Sequence, residues 1–131
     1  MARPKHENPT PAELAVLDVL WDHGPGTVRK VMDHLQEDPP RAYTSVMSLL
    51  NVMFDKGLVT RESAGRAFIY DAAVKRERTQ RSMVGELLDR AFSGSASTMV
   101  TQLLAGSKPS TDELEQIRSV IDIYQDKKKG K

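Results

Sequence analysis

The chain has 131 residues, of which 39% are hydrophobic and only 5% aromatic, and its 19 basic and 18 acidic side chains almost cancel. This length allows one domain, or one small domain with an appendage, and excludes large enzyme folds such as the (β/α)₈ barrel of about 250 residues. The absence of cysteine excludes disulfides, zinc–thiolate sites, iron–sulfur clusters and thiol catalysis. A core this poor in aromatic rings favours helices over a β-sandwich.

The charges are distributed unevenly along the chain. Residues 1–40 carry 4 basic and 7 acidic side chains, whereas residues 41–78 carry 7 basic and 4 acidic ones. No apolar run reaches the roughly 18–20 residues of a membrane span, and the N-terminus lacks the apolar core of a signal peptide. We therefore expect a soluble, cytoplasmic protein without membrane insertion. The segmental bias in charge becomes informative only if the basic residues lie on one surface.

Helix-start and helix-stop signals predict three helices before residue 58. The first ten residues read as a flexible polar arm, after which Thr10 and Glu13 form a capping box for the first helix. Thr27 is a candidate cap for the second helix, which a turn beginning at Asp38-Pro39-Pro40 ends. The third helix is predicted from about Ala42 to Lys56, with Gly57 as its C-terminal glycine.

Two β-prone runs follow, at residues 58–63 and 66–71, and the intervening Ala64-Gly65 predicts a hairpin. Three helices and a hairpin are the order of a winged helix-turn-helix domain. The remaining residues predict three further helices. The expected fold is mainly α with a small β-hairpin wing: residues 1–73 form the DNA-binding domain, and residues 74–131 form a helical dimerisation domain with a flexible basic tail.

The third helix presents a small polar face opposite its apolar stripe. At about 100° per residue, Thr44, Ser48, Asn51 and Asp55 share this face, with Ser45 on its flank. Such a face fits a DNA major groove, where hydroxyl groups can meet base edges or phosphates. An ordinary solvated helix face is the alternative.

We expect the positive surplus of residues 41–78 to fall on this same surface. Arg41 and Lys56 bracket the third helix, and Arg61 and Arg66 flank the tip of the hairpin, where guanidinium groups can reach a phosphate or a minor groove. The predicted DNA-binding residues are Arg41, Tyr43, Thr44, Ser45, Ser48, Lys56, Arg61 and Arg66.

Four segments in this order resemble the BlaI/MecI/CopY family of penicillinase repressors. They are residues 13–21 (ELAVLDVLW), 42–50 (AYTSVMSLL), 56–59 (KGLV) and 65–70 (GRAFIY), and the resemblance extends over about residues 10–122. It implies a homodimeric winged-helix transcriptional repressor on a pseudo-palindromic operator. Members often lie upstream of genes for β-lactamase, penicillin-binding protein or copper export.

The resemblance also implies particular site residues. The family's groove-facing positions fall on Thr44, Ser45 and Ser48, and its wing arginine falls on Arg66. Two positions depart from the family pattern: Arg41 stands where many members have tryptophan, and Val52 stands where many have arginine.

The family's inducing mechanisms match this chain only in part. The copper-responsive branch senses metal through a C-terminal cysteine cluster, which a chain without cysteine cannot form. In the antibiotic-responsive branch, cleavage of an Asn-Phe bond in the dimerisation segment inactivates the repressor. The resemblance therefore implies a membrane-bound sensor protease as a partner. The nearest matching pair here is Gln102-Leu103, which we take as the candidate cleavage bond.

The C-terminal helices carry broad apolar stripes. Three short helices bury little against one another, whereas two interleaved copies would bury these side chains and suit a two-fold operator. The alternative is a monomer in which this segment packs on its own N-terminal domain. The predicted dimerisation residues are Met83, Leu87, Leu88, Phe92, Met99, Val100, Leu103, Leu104, Ile117, Ile121 and Tyr124.

Two other classes of function compete with DNA binding. An enzyme would need acid–base or metal chemistry, but His6, His23 and His34 have neither metal-ligand spacing nor a recognisable partner. A winged-helix module that binds only protein would present an acidic or apolar third-helix face. We therefore predict a non-enzymatic DNA-binding protein without a metal or cofactor.

Overall fold

Three helices and a β-hairpin are followed by three further helices, in the predicted order. The computed structural model describes residues 8–37 and 39–130, so the arm over residues 1–7, Asp38 of the predicted turn and Lys131 of the tail lie outside them. The described helices are α1 Pro11–His23, α2 Val28–His34, α3 Tyr43–Lys56, α4 Arg76–Phe92, α5 Ala96–Ser107 and α6 Thr111–Lys129, and the strands are β1 Val59–Ala64 and β2 Ala67–Ala72. The mainly α fold with a hairpin wing is confirmed.

Local caps set the ends of the first three helices as the sequence predicts. The Glu13 N–H donates to Thr10 Oγ1 at 3.2 Å and the Thr10 N–H donates to Glu13 Oε1 at 2.9 Å, which completes the capping box. Thr27 caps α2 by accepting from the Lys30 N–H. Gly57 ends α3 in the left-handed conformation, with φ of 83°.

Three element boundaries differ from the prediction. Helix α2 already ends at His34, because Leu35 turns to extended backbone. The hairpin turn is Gly65-Arg66 rather than Ala64-Gly65, since Ala64 still pairs with Ala67 and Gly65 takes the positive φ. Helix α6 extends to Lys129, so the tail predicted from Lys127 is helical over its first three residues.

The core of the winged-helix part lies between α1, α2, α3 and the hairpin. It consists of aliphatic side chains and one tyrosine: Val16, Leu17, Val19, Leu20, Val28, Val31, Val46, Leu50, Met53, Leu58, Val59 and Tyr70. The loop after α1 also pairs with β2, because Gly26 and Tyr70 exchange two backbone hydrogen bonds of 2.9 and 2.8 Å. This bridge attaches the base of the wing to the helices.

The chain divides into two compact units between Gly85 and Glu86, inside α4. The functional boundary after residue 73 stays a prediction. The first turns of α4 belong to the first unit, because Thr79 is buried and Ser82 Oγ donates to Asn8 Oδ1 at 2.7 Å. The second unit contains α5 and α6, neither of which has a buried residue. Along residues 8–37 and 39–130, no helix is long and apolar enough to cross a membrane.

Candidate nucleic-acid interface

Helix α3 buries one face and exposes a polar one, as its sequence predicts. Val46, Leu50 and Met53 are fully buried, whereas the hydroxyl side chains on the opposite face are exposed. An open groove of about 420 Å³ runs along that face and is lined by Arg41, Thr44, Ser45, Ser48, Leu49 and Val52. The structure thus brings together four of the eight residues predicted to bind DNA.

The two positions that depart from the family pattern both lie in this groove. Arg41 pairs with Glu37, with 2.6 Å between Nε and the carboxylate. Because that carboxylate offsets part of its charge, Arg41 attracts a phosphate less strongly than an unpaired guanidinium would. Val52 is 48% exposed and adds an apolar surface beside the hydroxyl groups.

A cation from a neighbouring helix, which the sequence does not indicate as part of the interface, lies beside the N-terminal end of α3. Tyr43, the first residue of α3, is exposed, and the Arg29 guanidinium of α2 lies 5.7 Å from its ring centroid. Arg29 is itself exposed. No sequence signal indicated this contact, because it joins two helices through a loop whose path the sequence does not define.

Lys56, which the sequence predicts to bind DNA, forms an ion pair within the protein. Its ammonium group lies 2.8 and 3.1 Å from the two carboxylate oxygens of Glu13, which is only 2% exposed. Burial alone would raise the pKa of Glu13, but the hydrogen bonds from Lys56 and from the Thr10 backbone outweigh it and hold that pKa below its usual range. Lys56 therefore joins the end of α3 to the start of α1.

The two wing arginines occupy different places. Arg66 lies in the turn at the tip and is exposed. Arg61 does not flank the tip as predicted: it pairs in register with Tyr70 at the middle of the hairpin. The Arg61 guanidinium lies over the rings of Phe54 and Phe68, at 4.1 and 4.5 Å from their centroids.

The positive surplus of residues 41–78 is consequently not concentrated on one surface, contrary to our expectation. Lys56 is paired with Glu13, and Arg76 at the start of α4 is paired with Asp22 at 2.6 Å and lies 3.8 Å from Asp18. The Asp22 hydrogen bond raises the pKa of Arg76, and the same bond lowers the pKa of Asp22. Acidic residues of α1 thus neutralise part of the basic middle segment.

The histidines form a contact that the sequence did not reveal. The rings of His23 and His34 stack with their centroids 3.7 Å apart, which joins the C-terminal ends of α1 and α2. Across the part of the chain that the structure describes, no cluster of three or more His, Cys, Asp or Glu side chains could hold a metal ion. We assign the histidine pair a packing role.

The second unit leaves much of its apolar surface open. Among the predicted dimerisation residues, Leu87, Val100, Leu103, Ile121 and Tyr124 are exposed, and Leu103 and Tyr124 are 56% and 66% exposed. The others are half-buried: Met83, Leu88, Phe92, Met99, Leu104 and Ile117. Gln102 and Leu103 lie inside α5 and are both exposed.

A recognition helix with an open hydroxyl face, beside a hairpin with an arginine at its tip, defines a winged helix-turn-helix protein of the DNA-binding class. The chain belongs to the penicillinase repressor family, whose model matches residues 9–123. Members of this family are transcriptional repressors and not enzymes.

Its known relatives are distant in sequence but similar in length. The penicillinase repressor of Bacillus licheniformis is 22% identical over 118 residues, which cover 90% of this chain and 92% of the relative. The methicillin resistance regulatory protein MecI of Staphylococcus aureus is 17% identical over 111 residues, covering 85% and 90%. The solved structure of a transcriptional regulator from Thermotoga maritima matches with a TM-score of 0.47 and 18% identity over 89% of this chain and 79% of that one.

Proposed function

We propose that this repressor acts as a homodimer that binds a pseudo-palindromic operator in a sequence-specific way. The observation that carries the proposal is the groove on α3, where three small hydroxyl side chains lie exposed between an arginine and a valine. A helix face of this size and polarity fits a major groove without steric conflict.

In this arrangement Thr44, Ser45 and Ser48 read base edges, because each hydroxyl can both donate and accept a hydrogen bond. Arg66 at the wing tip and Arg41 at the start of the groove contact phosphates. Arg29 adds a further phosphate contact from α2, the helix that crosses the backbone in helix-turn-helix complexes.

The second unit of the chain supports the proposed homodimer. Helices α5 and α6 bury no residue in the single chain, although they carry large apolar side chains at regular spacing. A helical unit of this size cannot form a sufficient core alone, whereas two copies would cover these side chains. A two-fold dimer also presents paired recognition helices to half-sites about one DNA turn apart.

Selection of binding sites from a random DNA pool tests the proposed function. The wild-type chain should enrich a two-fold symmetric sequence and bind it at least about a thousandfold more tightly than random DNA. Ser48→Ala should weaken binding to the selected site more than to random DNA, whereas Ser119→Ala, at an exposed position of α6, should change neither. Failure to enrich any sequence would refute operator recognition.

Sedimentation analysis tests the dimer. The double substitution Leu87→Asp with Leu103→Asp places charges on the exposed apolar surface and should produce monomers with much weaker operator affinity. Gln80→Asp introduces one aspartate at an exposed position of α4 outside the predicted dimerisation residues and should stay dimeric. If the double variant also sediments as a dimer, the interface lies elsewhere.

We further propose that this repressor controls β-lactamase or other antibiotic-response genes in the cytoplasm, with a membrane-bound sensor protease ending repression. The support is family membership and the exposure of Gln102 and Leu103 on α5. Because both residues lie within a helix, cleavage requires local unfolding of α5. Immunoblots after β-lactam treatment should show a fragment ending near residue 102, and full derepression with only intact chain would refute cleavage.

A further inference from the structure

One arginine connects the recognition helix to both strands of the wing. The Arg61 side chain comes from β1, and its guanidinium carbon lies 4.1 Å from the ring centroid of Phe54 in α3 and 4.5 Å from that of Phe68 in β2. Its Nη1 also donates to Asn51 Oδ1 of α3 at 3.1 Å. Arg61 is therefore held at three points, two of them on the recognition helix.

The register of the hairpin explains how these groups meet. Arg61 pairs with Tyr70 and Ser63 pairs with Phe68, so Phe68 is a diagonal neighbour of Arg61 on the same face of the hairpin. The Gly26–Tyr70 bridge fixes the base of the wing. The contact with Phe68 lies further towards the tip, where the structure shows no backbone bridge to the helices among the described residues.

We propose that Arg61 is a positioning residue, which holds the wing at a fixed angle to α3 so that Arg66 reaches a phosphate while α3 lies in the major groove. A guanidinium stacked on two rings and bonded to Asn51 cannot turn to a phosphate without losing these contacts. Arg61 therefore acts on DNA binding through the wing and makes no phosphate contact. The inference rests on the proposed function, since it concerns the same interface.

The salt dependence of binding separates positioning from contact. Each phosphate contact contributes about 0.9 to the slope of log K against log salt concentration. Arg61→Gln should lower the affinity for the selected operator about tenfold and leave this slope unchanged. Arg66→Gln, the matched loss of one guanidinium at the tip, should reduce the slope by about 0.9.

Removing the ring instead of the charge tests the same contact from its other side. Phe68→Leu keeps Arg61 and every charge, yet should weaken operator binding, by less than Arg61→Gln does because Arg61 keeps its contacts with Phe54 and Asn51. The double variant should bind no more weakly than Arg61→Gln alone, because Arg61→Gln already removes the contact with Phe68. In the free proteins, hydrogen exchange of the wing amides should be faster in both variants, while that of α1 amides stays unchanged.

Several results would overturn the proposal. A slope reduced by Arg61→Gln as much as by Arg66→Gln would identify Arg61 as a phosphate contact. Fully additive losses for Arg61→Gln and Phe68→Leu would show that the two side chains act independently. These results differ from failure of the proposed function, in which the wild-type chain itself would show no preference for any DNA sequence.

Discussion

Removing the charge of Lys56 should destabilise the protein more than removing the charge of Glu13, although both substitutions break the same ion pair. Glu13 is 2% exposed, whereas the Lys56 side chain is 30% exposed. Lys56→Met keeps most of the aliphatic stem and removes the ammonium group, so the carboxylate keeps the hydrogen bond that it accepts from the Thr10 N–H. Glu13→Gln leaves an ammonium group that can turn to water.

The expected cost follows from this difference in exposure. Removing one partner of a fully buried ion pair costs about 3–5 kcal/mol. Because the Lys56 side chain reaches solvent, water can partly replace it, and we expect Lys56→Met to lower the free energy of unfolding by about 2–3 kcal/mol. For Glu13→Gln we expect about 1–2 kcal/mol, since the amide oxygen can still accept the Thr10 N–H.

The stability deficit of Lys56→Met should depend on pH, because the charge of Glu13 does. In the wild type the pKa of Glu13 is lowered, so its stabilisation is present above the usual carboxyl pKa of about 4.3 and is lost as pH falls through the lower folded value. Without Lys56, the main interaction that lowers this pKa is lost, so the folded pKa of Glu13 rises towards its unfolded value. The deficit of Lys56→Met should therefore be largest near pH 7 and shrink towards pH 4.

Urea unfolding followed by circular dichroism, at one fixed protein concentration and at pH 7, 5 and 4, measures these differences. Arg78→Met removes one positive charge from an exposed position of α4 and should change the free energy of unfolding by less than about 0.5 kcal/mol at each pH. A Lys56→Met deficit that does not vary with pH, or that equals the deficit of Glu13→Gln, would refute the reasoning.

Three further outcomes are expected. Gly57→Ala should lower the free energy of unfolding by about 1 kcal/mol in urea titrations, because φ of 83° strains any residue with a Cβ; an unchanged midpoint would contradict this. Replacing thymine by deoxyuridine in the selected operator should weaken wild-type binding severalfold but not that of Val52→Ala, if the exposed valine meets a thymine methyl group. Glu37→Gln should strengthen binding to random duplex DNA about twofold to threefold in anisotropy titrations, since it leaves Arg41 unpaired, whereas Glu115→Gln on α6 should not.

The element order could be predicted because its signals are local. The capping box of Thr10 and Glu13, the cap at Thr27 and the terminal glycine Gly57 each act within a few residues, and all three are present in the structure. The hairpin turn was misplaced by one residue, because Ala64 and Gly65 are both compatible with a turn, and only the strand register distinguishes them. Helical periodicity also identified the exposed face of α3.

The roles of the charged residues required the tertiary structure. Glu13 and Lys56 are far apart in sequence, and their ion pair forms only because the core brings the end of α3 to the start of α1. Arg61 likewise looks like a DNA contact in the sequence, but its distances to Phe54 and Phe68 show that it is stacked within the protein. A sequence records which charges exist, whereas their partners depend on the packing of distant segments.

The sequence by itself therefore determined the fold class, the exposed hydroxyl face of α3 and the apolar stripes of the C-terminal helices, since all three follow from the periodicity of single elements. Only the tertiary structure decided which cations face outward: Arg66 and Arg29 are exposed, whereas Lys56 is paired with a buried carboxylate. Opposite charges that nearly cancel over the whole chain also cancel in direct ion pairs, because acidic residues of α1 pair with basic residues of α3 and α4. Because Lys56 and Arg76 are paired with carboxylates, we expect weak attraction to DNA in general and a larger share of the proposed recognition from the exposed face of α3.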